Sequence, residues 1–447
     1  MKLESIKSII LTILVAISIF FTWNIWTYQP PFSEIQNSTY VESNPLSNTT
    51  KKIYDVIFPQ QLLVYEDDNI YGTYDEEILS NLWKEMRKWE LTDFRNVTNR
   101  IEEDYGFYHW VFNSHDSESM TLTFNDTIPI TALETVTDWT EKESMTMKFD
   151  RIMVPLSTRS NQQLVYFIDF DSQYVIQADV ETVLSETWSL VLESAPSKFD
   201  SYMVWEDRFL LPKQSLEMVR EHYLTKTLSG EQFKNALFSN PSFVKKDVNG
   251  SEYVYTDSFR QLVIDQEKSK VVYVNPAIDQ SITTEKGKLL LQSIDFINGH
   301  GGWISGYNDY KFFTTDSEQK VYFRLMVNNI PLFSFTDSYY TITSIIQSWG
   351  SSDISLYQRP LFYLDEFIRE ETVKLPSANE VISIIESDPN LDIEQITKIF
   401  PAYDIQVTSK QGIVYLQPVW ALSLTNGKYQ MLEPNQSKVR GEVNGLE

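Results

Sequence analysis

The chain has 447 residues, no cysteine, and 62 acidic against 37 basic residues, for a formal net charge of −25. A surface that acidic excludes nucleic acid and anionic lipid headgroups as partners, and the lack of cysteine excludes a disulfide framework or a thiolate metal site. The length allows two or three domains with sizeable cores.

The chain opens with Met1-Lys-Leu-Glu-Ser-Ile-Lys7, after which no charge interrupts Ser8 to Trp26. As a helix, the 18 residues Ile9–Trp26 span about 27 Å, close to the hydrocarbon thickness of a bilayer. Lys2 and Lys7 precede the run and the next charge is Glu34, which predicts a cytoplasmic N-terminus with the bulk outside. The run closes on Phe20-Phe-Thr-Trp-Asn-Ile-Trp-Thr-Tyr28, bulky where a signal peptidase needs small residues, so a retained single-pass anchor is expected over 1–29. Ile9, Thr12, Ala16, Ile19, Trp23 and Trp26 recur on one helix face. Thr12 and Ala16 would let a neighbouring helix approach closely, and Asn24 could hydrogen-bond to it. Any apolar helix has some such stripe, so this transmembrane interaction face is an expectation only. An outward-facing chain without cysteine fits a Gram-positive exterior, in which sequons such as Asn96-Val-Thr98 arise by chance.

Pro30-Pro31 and the polar residues that follow read as a flexible stalk over 30–52. Folding is expected from Ile53, with a strand at Gln61–Tyr65. A helix should follow, capped by Thr73 and Glu76 and burying Ile78, Leu82, Met86 and Trp89 on one face. Residues 107–112, 120–124, 151–155, 164–168 and 203–211 read as extended, and 180–192 as helical. Strands in runs with few helices predict an α+β domain over 53–205.

From Ser215 the pattern recurs. Ser215–Phe238 and Ser377–Phe400 each read as two short helices, at 216–219 and 231–238 in the first and at 381–385 and 394–400 in the second. A β-rich tail ending in proline (Pro276, Pro434) follows each. This predicts related central (206–280) and C-terminal (281–437) α+β domains, with a tail at 438–447.

Chemistry is sparse. Four histidines, at 109, 115, 222 and 300, lack zinc spacing, and neither a nucleophile-elbow glycine motif nor a phosphate loop occurs. Asn298-Gly-His-Gly-Gly-Trp303 reads either as a helix C-cap and turn or as a backbone anion nest. Acidic groups such as Glu102-Glu103-Asp104, and Glu366 with Glu370-Glu371, would serve a glycosidase only if two faced one cleft. In a chain with 62 acids a solvated surface is their default reading. No catalytic residue, metal ligand or cofactor is assigned. Two function classes remain: a non-enzymatic membrane regulator, or a membrane-anchored wall-binding protein or wall-active glycoside hydrolase.

Several segments resemble the YycH family: Thr22-Trp-Asn-Ile-Trp-Thr-Tyr-Gln-Pro30, Phe296–Trp303, Val321-Tyr-Phe-Arg324, Tyr357-Gln-Arg-Pro-Leu361 and Pro418-Val-Trp-Ala421. The resemblance covers essentially the whole chain. It implies a single-pass membrane protein of a low-GC Gram-positive bacterium with the bulk facing the cell wall. It also implies action with a YycI-like partner on a WalK (YycG) sensor histidine kinase that controls cell-wall metabolism. Regulation would pass through transmembrane helix contacts, with an inhibitory sign. The last two parts of the ectodomain would share the architecture of YycI.

Overall fold

The computed structural model describes residue 11, residues 13–22, and residues 46–432 apart from 67, 114–117, 136–137, 140–146, 157–162, 182–183, 279–285, 316–319, 336–341, 351–352 and 409–411. It falls into two units, Met1–Ser43 and Asn44–Glu447. In the first, residues 11 and 13–22 are helical, with the Thr22 hydroxyl donating to Ser18 O at 2.8 Å. Among the described residues no helix is long and apolar enough to cross a membrane, and most of the segment expected as an anchor lies outside them.

The second unit contains two sheets. The first is built from β1 (Gln61–Glu66), β2 (Asn69–Thr73), β3 (Glu90–Asn96), β4 (Ser119–Pro129), β5 (Asp138–Trp139), β6 (Lys148–Pro155), β7 (Gln163–Asp169), β8 (Tyr174–Val180), β9 (Asp200–Trp205) and β10 (Phe209–Pro212). Its order is β10-β9-β2-β1-β4-β6-β7-β8-β3-β5, antiparallel except where β5 lies parallel to β3. The central strands are buried on both faces, so they read as nearly continuous apolar runs. Ile152, Val154, Val165 and Phe167 enter one core. Met153 and Ile168 point to the other face, under helices Thr98–Asp104 and Phe107–Asn113.

Two expectations are corrected here. Residues 107–112 form a helix, not a strand: Phe107, Trp110 and Val111 are buried at helical spacing, and Glu102 Oε2 accepts from Phe107 N at 2.9 Å, satisfying a first-turn donor. The helix Glu76–Met86 is N-capped by Asp75 rather than Thr73, its carboxylate accepting from Glu77 N and Ile78 N at 2.9 and 3.0 Å. Leu82, Met86 and Trp89 are buried as expected. Trp89 packs 5.4 Å from Trp188 of the helix Glu186–Lys198.

The second sheet contains β11 (Leu216–Thr227), β12 (Lys245–Asn249), β13 (Glu252–Thr256), β14 (Gln261–Asp265), β15 (Lys270–Val274), β16 (Asp309–Thr315), β17 (Lys320–Val327), β18 (Ile330–Phe333), β19 (Ser344–Trp349), β20 (Ile354–Pro360), β21 (Phe362–Leu375), β22 (Ile396–Val407), β23 (Ile413–Leu424) and β24 (Tyr429–Met431). Its order is β12-β13-β14-β15-β20-β19-β17-β18-β22-β23-β11-β21, with β16 on β17 and β24 on β23.

The recurrence expected from Ser215 is in the wrong register. Residues 216–219 open strand β11 and 396–400 open β22, so neither is helical. The elements that do repeat are a long strand, a helix, a 3₁₀ turn and a hairpin. They are β11, Gly230–Leu237, Pro241–Phe243 and β12–β13 in the first case, and β21, Ala378–Ser387, Ile393–Gln395 and β22–β23 in the second. Ser229 and Ser377 both occupy N-cap positions. Each helix buries the matching pair, Phe233 with Leu237 and Val381 with Ile385. Ser239-Asn-Pro241 and Ser387-Asp-Pro389 then end them, proline being unable to continue a helix. The two long strands lie against each other, antiparallel from Leu216↔Leu375 to Thr227↔Phe362.

The sheets share one continuous core. Their seam is stitched by Thr314 Oγ1 donating to Asp126 Oδ2 and Lys398 Nζ donating to Asn125 O, both at 2.7 Å.

Candidate functional site

Helix Lys286–Gly299 ends in the glycine-rich run singled out above. Gly301 and Gly302 have φ of +106° and +75°, the left-handed region that glycine enters without a Cβ penalty. Gly302 N donates back to Ile297 O at 2.8 Å, so the C-cap reading of this run holds. The run also does something that neither reading foresaw. The chain entering the folded body lies directly on it.

Ser47 N donates to Gly301 O at 2.9 Å and Trp303 N to Thr49 O at 3.0 Å. Asn298 closes a pair with Lys51, accepting from its N–H at 2.9 Å and donating to its carbonyl at 2.8 Å. The same Asn298 oxygen accepts from Trp303 Nε1 at 2.8 Å. The approach is close enough to require glycine. A Cβ on Gly302 would stand 2.6 Å from Ser47 O, and one on Gly301 would stand 2.8 Å from the Leu46 side chain. The last part of the segment expected to be a flexible stalk, from Leu46 onward, is therefore fixed to the body.

The Lys51 ammonium sits 5.1 Å over the Trp303 ring, pairs with Asp309, and donates to Tyr310 O at 2.9 Å. Lys311 bonds the other Asp309 oxygen at 2.8 Å and reaches Asp55 O at 3.0 Å. Burial pushes Lys51 below the usual lysine value, against the pull of Asp309. Burial alone would raise Asp309, but Lys51 and Lys311 hold it below the usual carboxylate value. Further along, Asn329 Nδ2 donates to Pro59 O and Gln60 O at 3.2 and 2.8 Å. The chain is thus laced onto the second sheet from Ser47 to Gln60 before it enters the first sheet at β1.

Of the two arginines in the motif segments, Arg359 supports this region from inside, whereas Arg324 serves β18 and Thr343. Arg359 is fully buried and donates to Gly302 O at 3.3 Å and to the Tyr357 hydroxyl at 3.1 Å, holding the glycine turn from below. Arg324 donates to Leu332 O and to the Thr343 hydroxyl, and lies 4.0 Å over Phe333. Burial lowers it to about 10, so it stays protonated at neutral pH.

Of the residues proposed for a transmembrane face, Ala16 and Ile19 lie in the described helix. Ile9, Thr12, Trp23, Asn24 and Trp26 lie outside the described residues. Among the described residues no cluster of histidine and carboxylates is arranged to hold a metal. His222 lies 3.8 Å from Glu371 and stacks on Tyr415, and His300 stacks on Phe296. Lys51, Asn298 and Asp309 were not foreseen together. The glycine run was visible in sequence, but its partner lies about 250 positions earlier, with no local pattern linking them.

Two sheets over a common core, helices on their faces and a laced entry segment define a sheet-rich α+β fold. The crystal structure of YycH from Bacillus subtilis has this fold. It matches with a TM-score of 0.76 at 23% identity, covering 86% of this chain and 98% of that one. Residues 4–189 match the family described as YycH protein, N-terminal domain, and residues 206–435 match YycH protein, C-terminal domain. The chain belongs to the YycH family. A curated relative from Bacillus subtilis strain 168, the "two-component system WalR/WalK regulatory protein YycH", is 28% identical over the full length of both chains.

Proposed function

We propose that this chain is a membrane-anchored, non-enzymatic regulator of a WalK-type sensor histidine kinase. Residues 9–26 cross the membrane once, the bulk faces the cell wall, and a YycI-like membrane protein acts alongside. The observation that carries this reading is the end-to-end similarity to the Bacillus regulator. The described part of the N-terminal helix supports it. Leu11, Ile13, Leu14, Val15, Ile17, Ile19, Phe20 and Phe21 are each 45–65% exposed, an apolar circumference that water disfavours and lipid accepts.

On this reading the anchor contacts the kinase within the membrane, with Ala16 in the packing face and an inhibitory sign. A coupling of about 1–3 kcal/mol suffices to shift a two-state kinase measurably.

Affinity purification of the full-length chain from detergent-solubilised membranes tests the reading. The kinase and a YycI-like protein should co-purify with it. Recovery of the chain with neither would contradict it.

A further inference from the structure

At the seam between the two sheets lies a cleft with a cavity volume of about 420 Å³, within the size range of small-molecule sites. One wall comes from β6 and the turn after β7, with Asp150, Arg151 and Phe170. The facing wall comes from β22, with Lys398 and Phe400. Arg208, from the turn between β9 and β10, closes one side.

Among the described residues Arg87, Arg151, Arg324 and Arg359 each have a buried guanidinium nitrogen without a hydrogen-bond partner, and of these Arg151 is the one that lines the cleft. Its side chain is 12% exposed, and its guanidinium carbon lies 3.5 Å from the centre of the Phe170 ring. Its Nε is 4.0 Å from Asp150 Oδ2, beyond hydrogen-bond range. The guanidinium has no hydrogen bond to any described residue. Its NH1 and the Gln60 Nε2 are buried donors without an acceptor. A guanidinium carries five donors and no acceptor, and buried donors left unmade are costly enough to need an explanation. Asp126 is engaged by Thr314 Oγ1 at 2.7 Å and one Asp150 oxygen by Phe170 N at 2.9 Å, while the other Asp150 oxygen pairs with Arg151 only through charge, at 4.0 Å.

The surplus is of donors, so the missing partner is an acceptor. Arg151, Arg208 and Lys398 are balanced by Asp126, Asp150 and Asp171 among the lining residues, which disfavours a dianion. The ring walls, Tyr74, Phe209 and Phe400 among them, suit an apolar or aromatic body. We infer that this cleft binds a small monocarboxylate with an aromatic or apolar body, its carboxylate gripped by the Arg151 fork. This inference is independent of the kinase reading above.

The test is calorimetric titration of the full-length chain in detergent micelles with N-acetyl-phenylalanine, its carboxamide and phenyl phosphate. The acid should bind at least about tenfold more tightly than the amide or the phosphate. Arg151→Lys, which keeps a cation beside Asp150 but loses the fork, should weaken the acid by about tenfold. Gln60→Met should weaken it too, and thermal unfolding checks that both variants remain folded. Equal binding of acid and amide, phosphate bound as tightly as the acid, unchanged affinity in folded Arg151→Lys, or no binding of the acid at about 10 mM would each overturn the inference.

Discussion

Gly302 concentrates two demands in one residue, a left-handed backbone and a 2.6 Å approach to Ser47 O that leaves no room for a Cβ. Gly302→Ala should therefore cost about 1–3 kcal/mol from backbone strain alone. It should also open residues 46–52 to protease, read by calorimetry and limited proteolysis. An unchanged midpoint and cleavage pattern would show that the entry segment is not held by this turn. Asp309 gives the junction a pH dependence of definite sign. Its folded value lies below the ordinary 3.8. The stability it contributes is complete above that ordinary value and is lost as pH falls through the depressed one. In denaturant titrations, Asp309→Asn should destabilise the protein at neutral pH, where it leaves Lys51 and Lys311 without their shared counter-ion. The gap between variant and parent should shrink as pH falls below 3.8 and through the depressed value. A gap that widens on acidification would contradict the ion-pair account. In sequence, Gly301 and Gly302 announced a special backbone, but Lys51 and Asp309 were indistinguishable from other surface charges.

Elements were legible where burial followed a regular period and illegible where pairing decided the outcome. The helix Glu76–Met86 and strands β1, β4, β6, β7 and β17 follow their apolar patterns directly. Leu216-Glu-Met-Val219 has good helix formers, but it lies against Thr372–Leu375 of β21, and that ladder overrides local propensity. At Phe107–Phe112 the opposite happened: an aromatic-rich run that reads as a strand folds as a helix because its apolar face packs on Met153 and Ile168. The order of strand, helix, 3₁₀ turn and hairpin does recur, but the counterpart of Ser377 is the cap Ser229 and not Ser215, which precedes a strand. Ser377 carries a full capping box, its hydroxyl 2.7 Å from the Glu380 carboxylate, which also accepts Ser377 N at 2.8 Å. Ser377→Ala should lower stability by about 1 kcal/mol, measured as a shift in denaturant midpoint at constant m-value. No shift would mean the box is idle in solution.

At the scale of the molecule, the chain meets the second sheet before the first. Ser47–Gln60 is hydrogen-bonded to residues around 298–303, 311 and 329, with Tyr54 O accepting from Trp83 Nε1 and Gln60 N donating to Thr123 O on the side of the first sheet, before β1 begins. The α+β class and the sites of most strands were legible in the sequence, whereas these entry-segment contacts join residues far apart in the chain that no local window contains. The proposed regulator acts through its N-terminal helix rather than through a catalytic site on the body. The direct measurement is the output of a reporter driven by the kinase, in cells whose only copy of this protein has Ile9–Trp26 replaced by a Leu/Ala helix of equal length. With the protein present at its normal level and correctly exported, regulation should be lost or greatly weakened. Unchanged output would move the activity from the helix to the folded body and contradict the account.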